Sequence, residues 1–298
     1  MTAVRTFVVM KWQPPGRMEN YSIGLRKETA YYAGHVNHIY TMLRGVYGDD
    51  FRLICVTDNV DGLNPDIEIF PISEKGKQFI QNNGGRYFKL FLFSREFQEA
   101  VAERFIYMDL DASICGPIDT LVDDTTDMVI MRGLYPEYPQ LNFRAFARQI
   151  KRARSLMDVQ IAFRHPHIRW CRYNSSFHSV RPFAANYIWE ELDATQAKID
   201  IRKQNLMGTD QAYLHLKLGG NIRVVGPEDG IWHFSHLSRF MQQSSTLPKD
   251  IKLVVFPGPP HLKPWHPAFR EQHPWVCELY PDNLLLHDEY QPSSIKVA

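Results

Sequence analysis

The sequence predicts an α/β fold: a mostly parallel central sheet flanked by helices. Apolar runs of strand length alternate with segments of helical spacing along the chain, and one run, Phe105-Ile106-Tyr107-Met108, is continuously apolar, as a strand covered on both faces requires. That run closes on two aspartates, Asp109 and Asp111, at the strand end where parallel sheets gather their ligands.

The elements follow in order. TFVVMKW reads as a strand, and ETAYYAGHVNHIYTMLRGVYG carries Tyr32, Val36, Ile39, Tyr40 and Leu43 at helical spacing before a Gly48 stop. FRLICVTD is a second apolar strand ending in Thr57 and Asp58, and DIEIFPI a third. RYFKLFLFSREFQEAVAE is predicted as a helix feeding the aspartate strand. DMVIMRG, SSFHSVRP, NIRVVGP and IKLVVFPG continue as strands, separated by the helix-like AANYIWEEL and GTDQAYLHLKLGG. No repeat period or low-complexity linker interrupts the series, so the expectation is a single domain over 1–298.

Composition narrows the function classes. With 34 Lys+Arg against 33 Asp+Glu the formal charge is +1, so no global field recruits nucleic acid or an anionic membrane. The 4 cysteines, Cys55, Cys115, Cys171 and Cys277, form no C-x-x-C pair, and MTAVRTFVVMKW contains no secretory core; reduced thiols and a cytoplasmic location are expected. No apolar stretch approaches the about 20 residues of a membrane-spanning helix.

YMDLDAS admits three readings. Its acids can cap the next turn. The spot also resembles the haloacid dehalogenase phosphatases, with Asp109 as nucleophile, Asp111 as acid/base and Ser113 where that family has Thr or Val. Thirdly, a D-x-D pair can hold manganese or magnesium against the diphosphate of a nucleotide sugar, since carboxylate and phosphate oxygens are both hard ligands.

The rest of the chain favours the third. FKLFLFS followed by RFIYMDLDASICGPIDTLVD, then YNSSFHSVRP, GTDQAYL and VVFPGPPHLKPWH, resemble in order the motifs of the family 8 glycosyltransferases, the retaining GT-A enzymes that include glycogenin and bacterial galactosyltransferases. These matches run from Lys89 to Trp265. A phosphatase would instead place its aspartates near the N-terminus and leave YNSS, TDQ and KPW unexplained.

The resemblance implies a GT-A fold and a metal-dependent transferase that moves a hexose from a nucleotide sugar, UDP-linked, to an acceptor hydroxyl with retention. Asp109 and Asp111 would hold Mn2+ or Mg2+. Lys89, Asn174 and Asp210 would contact the donor, Gln211 would lie against the anomeric carbon, and Lys263 would pair the departing diphosphate. Pro264 and Trp265 would anchor the lysine loop, while Lys11 or Trp12 and Thr57 or Asp58, ending the first two strands, are placed for the nucleoside. Each residue also has a plainer role available: Lys89 as surface lysine, Asn174 as turn residue, Asp210 as helix cap, Trp12 as core. A relative that binds nucleotide sugar or carbohydrate without turnover stays open beside the enzyme.

Two departures from the family stand out. Its histidine metal ligand ahead of the loop glycine is replaced by Val254-Val255-Phe256-Pro257, leaving His261, shifted within the loop, as the candidate third ligand, with His233 and His236 as alternatives. The stretch between Asp111 and Asn174 is longer than in glycogenin-like chains, and its excess is a basic helical insertion at about 137–172. From Asn142 to Tyr173 it carries Arg144, Arg148, Lys151, Arg152, Arg154, Arg164, Arg169 and Arg172 against Asp158 alone. Its simplest reading is a solvated basic face. The sharper one is a surface that selects an anionic acceptor or makes peripheral contact with lipid headgroups; glycan, lipid-linked and protein hydroxyls all remain acceptor classes.

Overall fold

The computed structural model describes residues 5–12, 31–83, 85–123, 125–133, 140–141, 143–152, 156, 159–160, 163, 167–168, 171–206, 208–258 and 262–280. Its main sheet has seven strands in the order β10 (Ile222–Val225), β6 (Met128–Arg132), β9 (Tyr173–Val180), β4 (Phe105–Met108), β1 (Thr6–Lys11), β2 (Arg52–Thr57) and β3 (Glu68–Pro71), and is mostly parallel. Among the described residues there are also a three-stranded sheet, β11 (Ile231–His233), β12 (Leu253–Val255) and β5 (Ala112–Ile114), and a two-stranded one, β7 (Gln140–Leu141) and β8 (His167–Ile168). The chain divides into two compact units, one made of Gln78–Tyr107 and Thr120–Glu228, the other of Arg5–Lys77, Met108–Asp119 and Asp229 onward.

The second of these units begins with β1 (Thr6–Lys11), β2 (Arg52–Thr57) and β3 (Glu68–Pro71), parallel neighbours in register from Thr6↔Arg52 to Lys11↔Thr57. All six residues of β1 are buried, which explains a run without alternation. The helix Ala33–Tyr47 buries the expected Val36, Ile39, Tyr40 and Leu43. It stops at Gly48, whose φ of +64 suits glycine and whose N–H reaches the Arg44 carbonyl at 2.9 Å.

IKLVVFPG forms a strand, β12 (Leu253–Val255), outside the main sheet. It lies between β11 (Ile231–His233), parallel to it, and β5 (Ala112–Ile114), antiparallel to it. β5 starts immediately after the turn at Leu110 and Asp111, so the aspartate strand hands the chain to the smaller sheet at the point where its carboxylates stand.

In the first unit, β10 (Ile222–Val225) runs parallel to β6 (Met128–Arg132), and β6 runs antiparallel to β9 (Tyr173–Val180). β4 (Phe105–Met108) is wholly buried. Arg104, just before it, is buried too; its guanidinium donates to Ser179 Oγ at 3.1 Å and to the carbonyls of Asp123 and Thr126.

The predicted helix over RYFKLFLFSREFQEAVAE is not continuous. It is a short helix Gly85–Phe88, a 3-10 turn Lys89–Phe93 and a helix Arg95–Val101. Leu90, Phe91, Leu92 and Phe93 are all buried, which one face of an α-helix cannot provide, and Ser94 restarts the chain with an extended backbone and an Oγ that accepts the Phe97 N–H at 3.1 Å.

β9 is irregular where the sequence reads as one clean strand. Its register with β6 passes from Ile130↔His178 directly to Met131↔Asn174, leaving Ser175, Ser176 and Phe177 outside that ladder. Beyond the ladder the chain between β6 and β9 makes a closed excursion: the Gly133 N–H reaches the Arg172 carbonyl at 2.9 Å. Within it β7 (Gln140–Leu141) pairs antiparallel with β8 (His167–Ile168), and the helix Phe143–Arg152 follows β7. Among the described residues no helix is long and apolar enough to cross a membrane.

Candidate functional site

Two clusters of chemistry-bearing side chains form, one in each unit. The first is built around Asp111. Antiparallel pairing sets Val255 opposite Ala112, and the next residue continues the match: the Phe256 N–H donates to the Asp111 carbonyl at 2.9 Å. The loop after β12 is therefore held against the aspartate turn, and Lys263, 152 residues further along the chain, ends with its ammonium on Asp111 Oδ2. The same ammonium donates to the Phe256 carbonyl at 2.9 Å. Both charged side chains are buried.

Tyr31 completes this cluster. Its hydroxyl donates to Asp111 Oδ2 at 3.1 Å, and burial, followed by the charges of Asp111 and Asp109, holds the phenol well above its usual pKa, so it stays a donor. Trp265 packs with its ring centroid 4.5 Å from that of His35, and the Pro264 carbonyl accepts from Arg270 at 3.0 Å, which anchors the lysine loop on both sides of the turn.

Asp111 Oδ1, by contrast, is buried without a hydrogen-bond partner. A carboxylate oxygen left bare in the interior is unfavourable unless something cationic reaches it, and a hard oxygen ligand is what Mn2+ or Mg2+ takes. Asp111, with Asp109 two residues before it and half-buried, therefore fits a divalent ion. Among the described residues no group of three His, Cys, Asp or Glu converges, and His261 lies outside those residues. The alternative His233 is committed elsewhere: its Nδ1 accepts the Ser235 N–H at 3.1 Å as the cap of the helix Phe234–Met241.

At the C-terminal edge of β1 and β2, the Lys11↔Thr57 pair puts Trp12 and Asp58 next in line on neighbouring strands, both half-buried. Lys11 itself is buried, with its ammonium on the Asn59 carbonyl at 2.7 Å.

The second cluster is built around Asp210, at the first position of the helix Asp210–Lys217. The residues of β9 that leave the ladder supply its partner: Ser175 Oγ donates to Asp210 Oδ2 at 2.5 Å. Thr209 Oγ1 donates to Oδ1 at 2.9 Å, and the Lys89 ammonium stands 3.9 Å from Oδ2 and 5.9 Å from the Tyr107 ring centroid. Asp210 is buried, and its charge, with burial as the larger cause, pushes Tyr87 and Cys171 up to about 12. Asn174 is buried in β9, its Oδ1 accepting the Ser176 N–H at 2.9 Å.

Gln211 is placed by Gly208. That glycine has φ +124, and a Cβ there would stand 2.7 Å from Gln211 Cγ and Nε2. Gly208→Ala is expected to destabilise the protein by about 1–2 kcal/mol through the backbone alone and to displace the Gln211 amide. Urea denaturation of the variant beside the native chain checks the first effect.

Tyr31, Ser175 and Thr209 were not singled out by the sequence. Thr209 and Ser175 adjoin Asp210 and Asn174 in the GTD and NSS motifs, so adjacency is their signal; nothing in AYYAGH distinguishes Tyr31 from its neighbour.

The fold can now be set beside solved structures. The galactosyltransferase LgtC, solved with donor and acceptor sugar analogs, superposes with TM-score 0.51 at 12% identity, over 97% of this chain and 98% of that one. This is a GT-A glycosyltransferase fold. An active-site mutant of LgtC gives 0.50 at 12% identity over 92% and 94% of the two chains, and mouse xyloside xylosyltransferase 1, apo form, gives 0.42 at 12% over 84% and 96%. No family model and no curated protein matches the chain.

Proposed function

We propose that the protein is a metal-dependent retaining glycosyltransferase that moves a hexose from a UDP-sugar to an acceptor hydroxyl. The observation that carries this reading is the buried Asp111 carboxylate, with one oxygen bare and the other on Lys263 and Tyr31, at the strand end of a GT-A fold.

In this reading Asp109 and Asp111 would hold Mn2+ or Mg2+, with His261 as the candidate third ligand, and a bound ion would supply charge neutralisation for the diphosphate. Lys263 exchanges Asp111 for the departing diphosphate. Asp210, held by Ser175 and Thr209, accepts hydrogen bonds from the sugar hydroxyls, with Lys89 and Asn174 beside the donor. Trp12 and Asp58 face the nucleoside. Gln211 steadies positive charge growing at the anomeric carbon, while the acceptor hydroxyl attacks on the face the leaving group vacates and gives its proton to a diphosphate oxygen. The acceptor is a glycan, lipid-linked or protein hydroxyl.

The test is UDP release from a panel of UDP-sugars with and without Mn2+. One sugar is expected to release UDP in a metal-dependent way, and Asp109→Asn with Asp111→Asn together to slow it by about 10³-fold. UDP binding without release from any sugar, acceptors included, would leave a binding protein; phosphate release from simple phosphomonoesters, lost in Asp109→Asn, would move the reading to a phosphatase.

A further inference from the structure

Lys263 places a cation of the chain's own on the carboxylate that the transferase reading gives to a metal. Asp111 Oδ2 takes two donors, the Lys263 ammonium and the Tyr31 hydroxyl, and the Asp111 carbonyl takes the Phe256 N–H, so the residue is fixed through both its side chain and its backbone. Lys263 and Asp111 are buried together, and one positive charge already balances the aspartate there. A divalent ion on the bare Oδ1 would meet that ammonium across a single carboxyl group, and like charges so close repel strongly away from water. His35, packed on Trp265 of the same loop, adds no charge at neutral pH, because burial lowers it to about 4. The competition for Asp111 is therefore between the ammonium and the ion.

The ammonium can leave without a backbone change. The Lys263 carbonyl accepts the His266 N–H at 3.0 Å and the Pro264 carbonyl accepts from Arg270 at 3.0 Å, so the turn is held by its main chain while a flexible stem carries the charge. The Phe256 carbonyl, 2.9 Å from the ammonium, remains as its second acceptor.

We infer that Lys263 gates the metal site: it occupies Asp111 as an internal cation and keeps a divalent ion from it until an anionic diphosphate draws the ammonium away. The identity of the anion rests on the transferase reading; the gate rests on the lysine's own contacts. Metal and nucleotide then bind cooperatively, because a diphosphate that takes Lys263 removes the charge opposing the ion, and an ion on Asp111 releases Lys263 for the diphosphate.

The test is Mn2+ binding to the full chain, read from the spin resonance of the free ion, with Mn2+ alone and with UDP, after subtraction of the Mn2+ that UDP holds in buffer. Mn2+ alone is expected to bind weakly, and UDP to tighten it by about 30-fold. Lys263→Gln removes the competing charge, so Mn2+ alone should bind about tenfold more tightly than to the native chain, and the tightening by UDP should shrink. Tyr31→Phe removes a neutral donor from the same oxygen and should shift Mn2+ binding by less than about threefold, which separates charge competition from carboxylate orientation. Urea midpoints report whether Lys263→Gln is folded, and the native chain gives a result that no folding defect can obscure: Mn2+ alone bound as tightly as with UDP overturns the gate. No gain for Mn2+ alone in folded Lys263→Gln, or an equal gain in Tyr31→Phe, does the same. Failure of the transferase reading looks different: UDP binds at no Mn2+ concentration, while the comparison of Mn2+ alone on the native chain and Lys263→Gln still decides the gate.

Discussion

Replacement of Lys263 by methionine is expected to destabilise the protein by about 3–5 kcal/mol and to remove donor turnover. Lys263 and Asp111 are 6% and 7% exposed, so each charge lies where water cannot replace the other. Deleting the ammonium leaves the buried Asp111 charge with no cation beside it, its Oδ2 held by the Tyr31 hydroxyl and its Oδ1 bare. Lys263→Met with Asp111→Asn should recover most of the lost stability, because a neutral pair restores the charge balance, but none of the turnover. Urea midpoints of the two single variants and the double variant, with UDP release on each, form the cycle. Equal stability of Lys263→Met and the native chain would show that the pair is not coupled, and recovery of turnover in the double variant would remove Lys263 from the chemistry.

Acid should destabilise the protein through three buried histidines. Burial, the largest cause for each, lowers His35 to about 4, His38 to about 3 and His233 to about 4, from 6.5. His35 is lowered further by the Lys263 ammonium, His38 by His35 and His233 by His236. The folded state keeps these imidazoles neutral while the unfolded chain protonates them below 6.5, so across this window the unfolded state binds more protons. Their contribution is complete above 6.5, falls as the pH drops towards 4, and is exhausted near 3. At about 1.4 kcal/mol per unit, each histidine accounts for at most roughly 3–5 kcal/mol, a sum comparable with the whole stability of a domain. Urea midpoints measured from pH 7.5 to 4.5 should fall steadily. His38, whose ring centroid lies 3.8 Å from that of Tyr280 and whose two nitrogens are buried without partners, gives the control. His38→Phe should flatten the pH slope, and a native curve already flat between 6.5 and 4.5 would refute the account.

Much of this was legible because it is local. The continuous apolar run of β4, the aspartates at its end and the Gly48 stop each follow from a few adjacent residues. What escaped is what the chain does across distance. LVV reads the same whether its strand joins the main sheet or, as β12 does, a smaller one; only pairing with β5 places Lys263 on Asp111. YNSSFHSV gives no sign that three of its residues leave the ladder, since serine and phenylalanine both suit a strand, yet that departure frees Ser175 for Asp210. The helix predicted through KLFLF failed for a definable reason: helical spacing counts apolar positions on one side and does not detect a segment buried on every side.

The stem that closes the excursion between β6 and β9 has a consequence for how this chain can change. With the Gly133 amide and the Arg172 carbonyl 2.9 Å apart, whatever lies between them enters and leaves at one point, and neither β6 nor β9 has to slide when that segment grows or shrinks. Loop closure charges only about 0.6 kcal/mol for each doubling of length. Gly133 itself is the fixed member: a Cβ there would stand 1.9 Å from the Cys171 carbonyl oxygen. The junction is therefore a natural graft point, where one inserted segment can be exchanged for another while the scaffold beneath keeps its alignment.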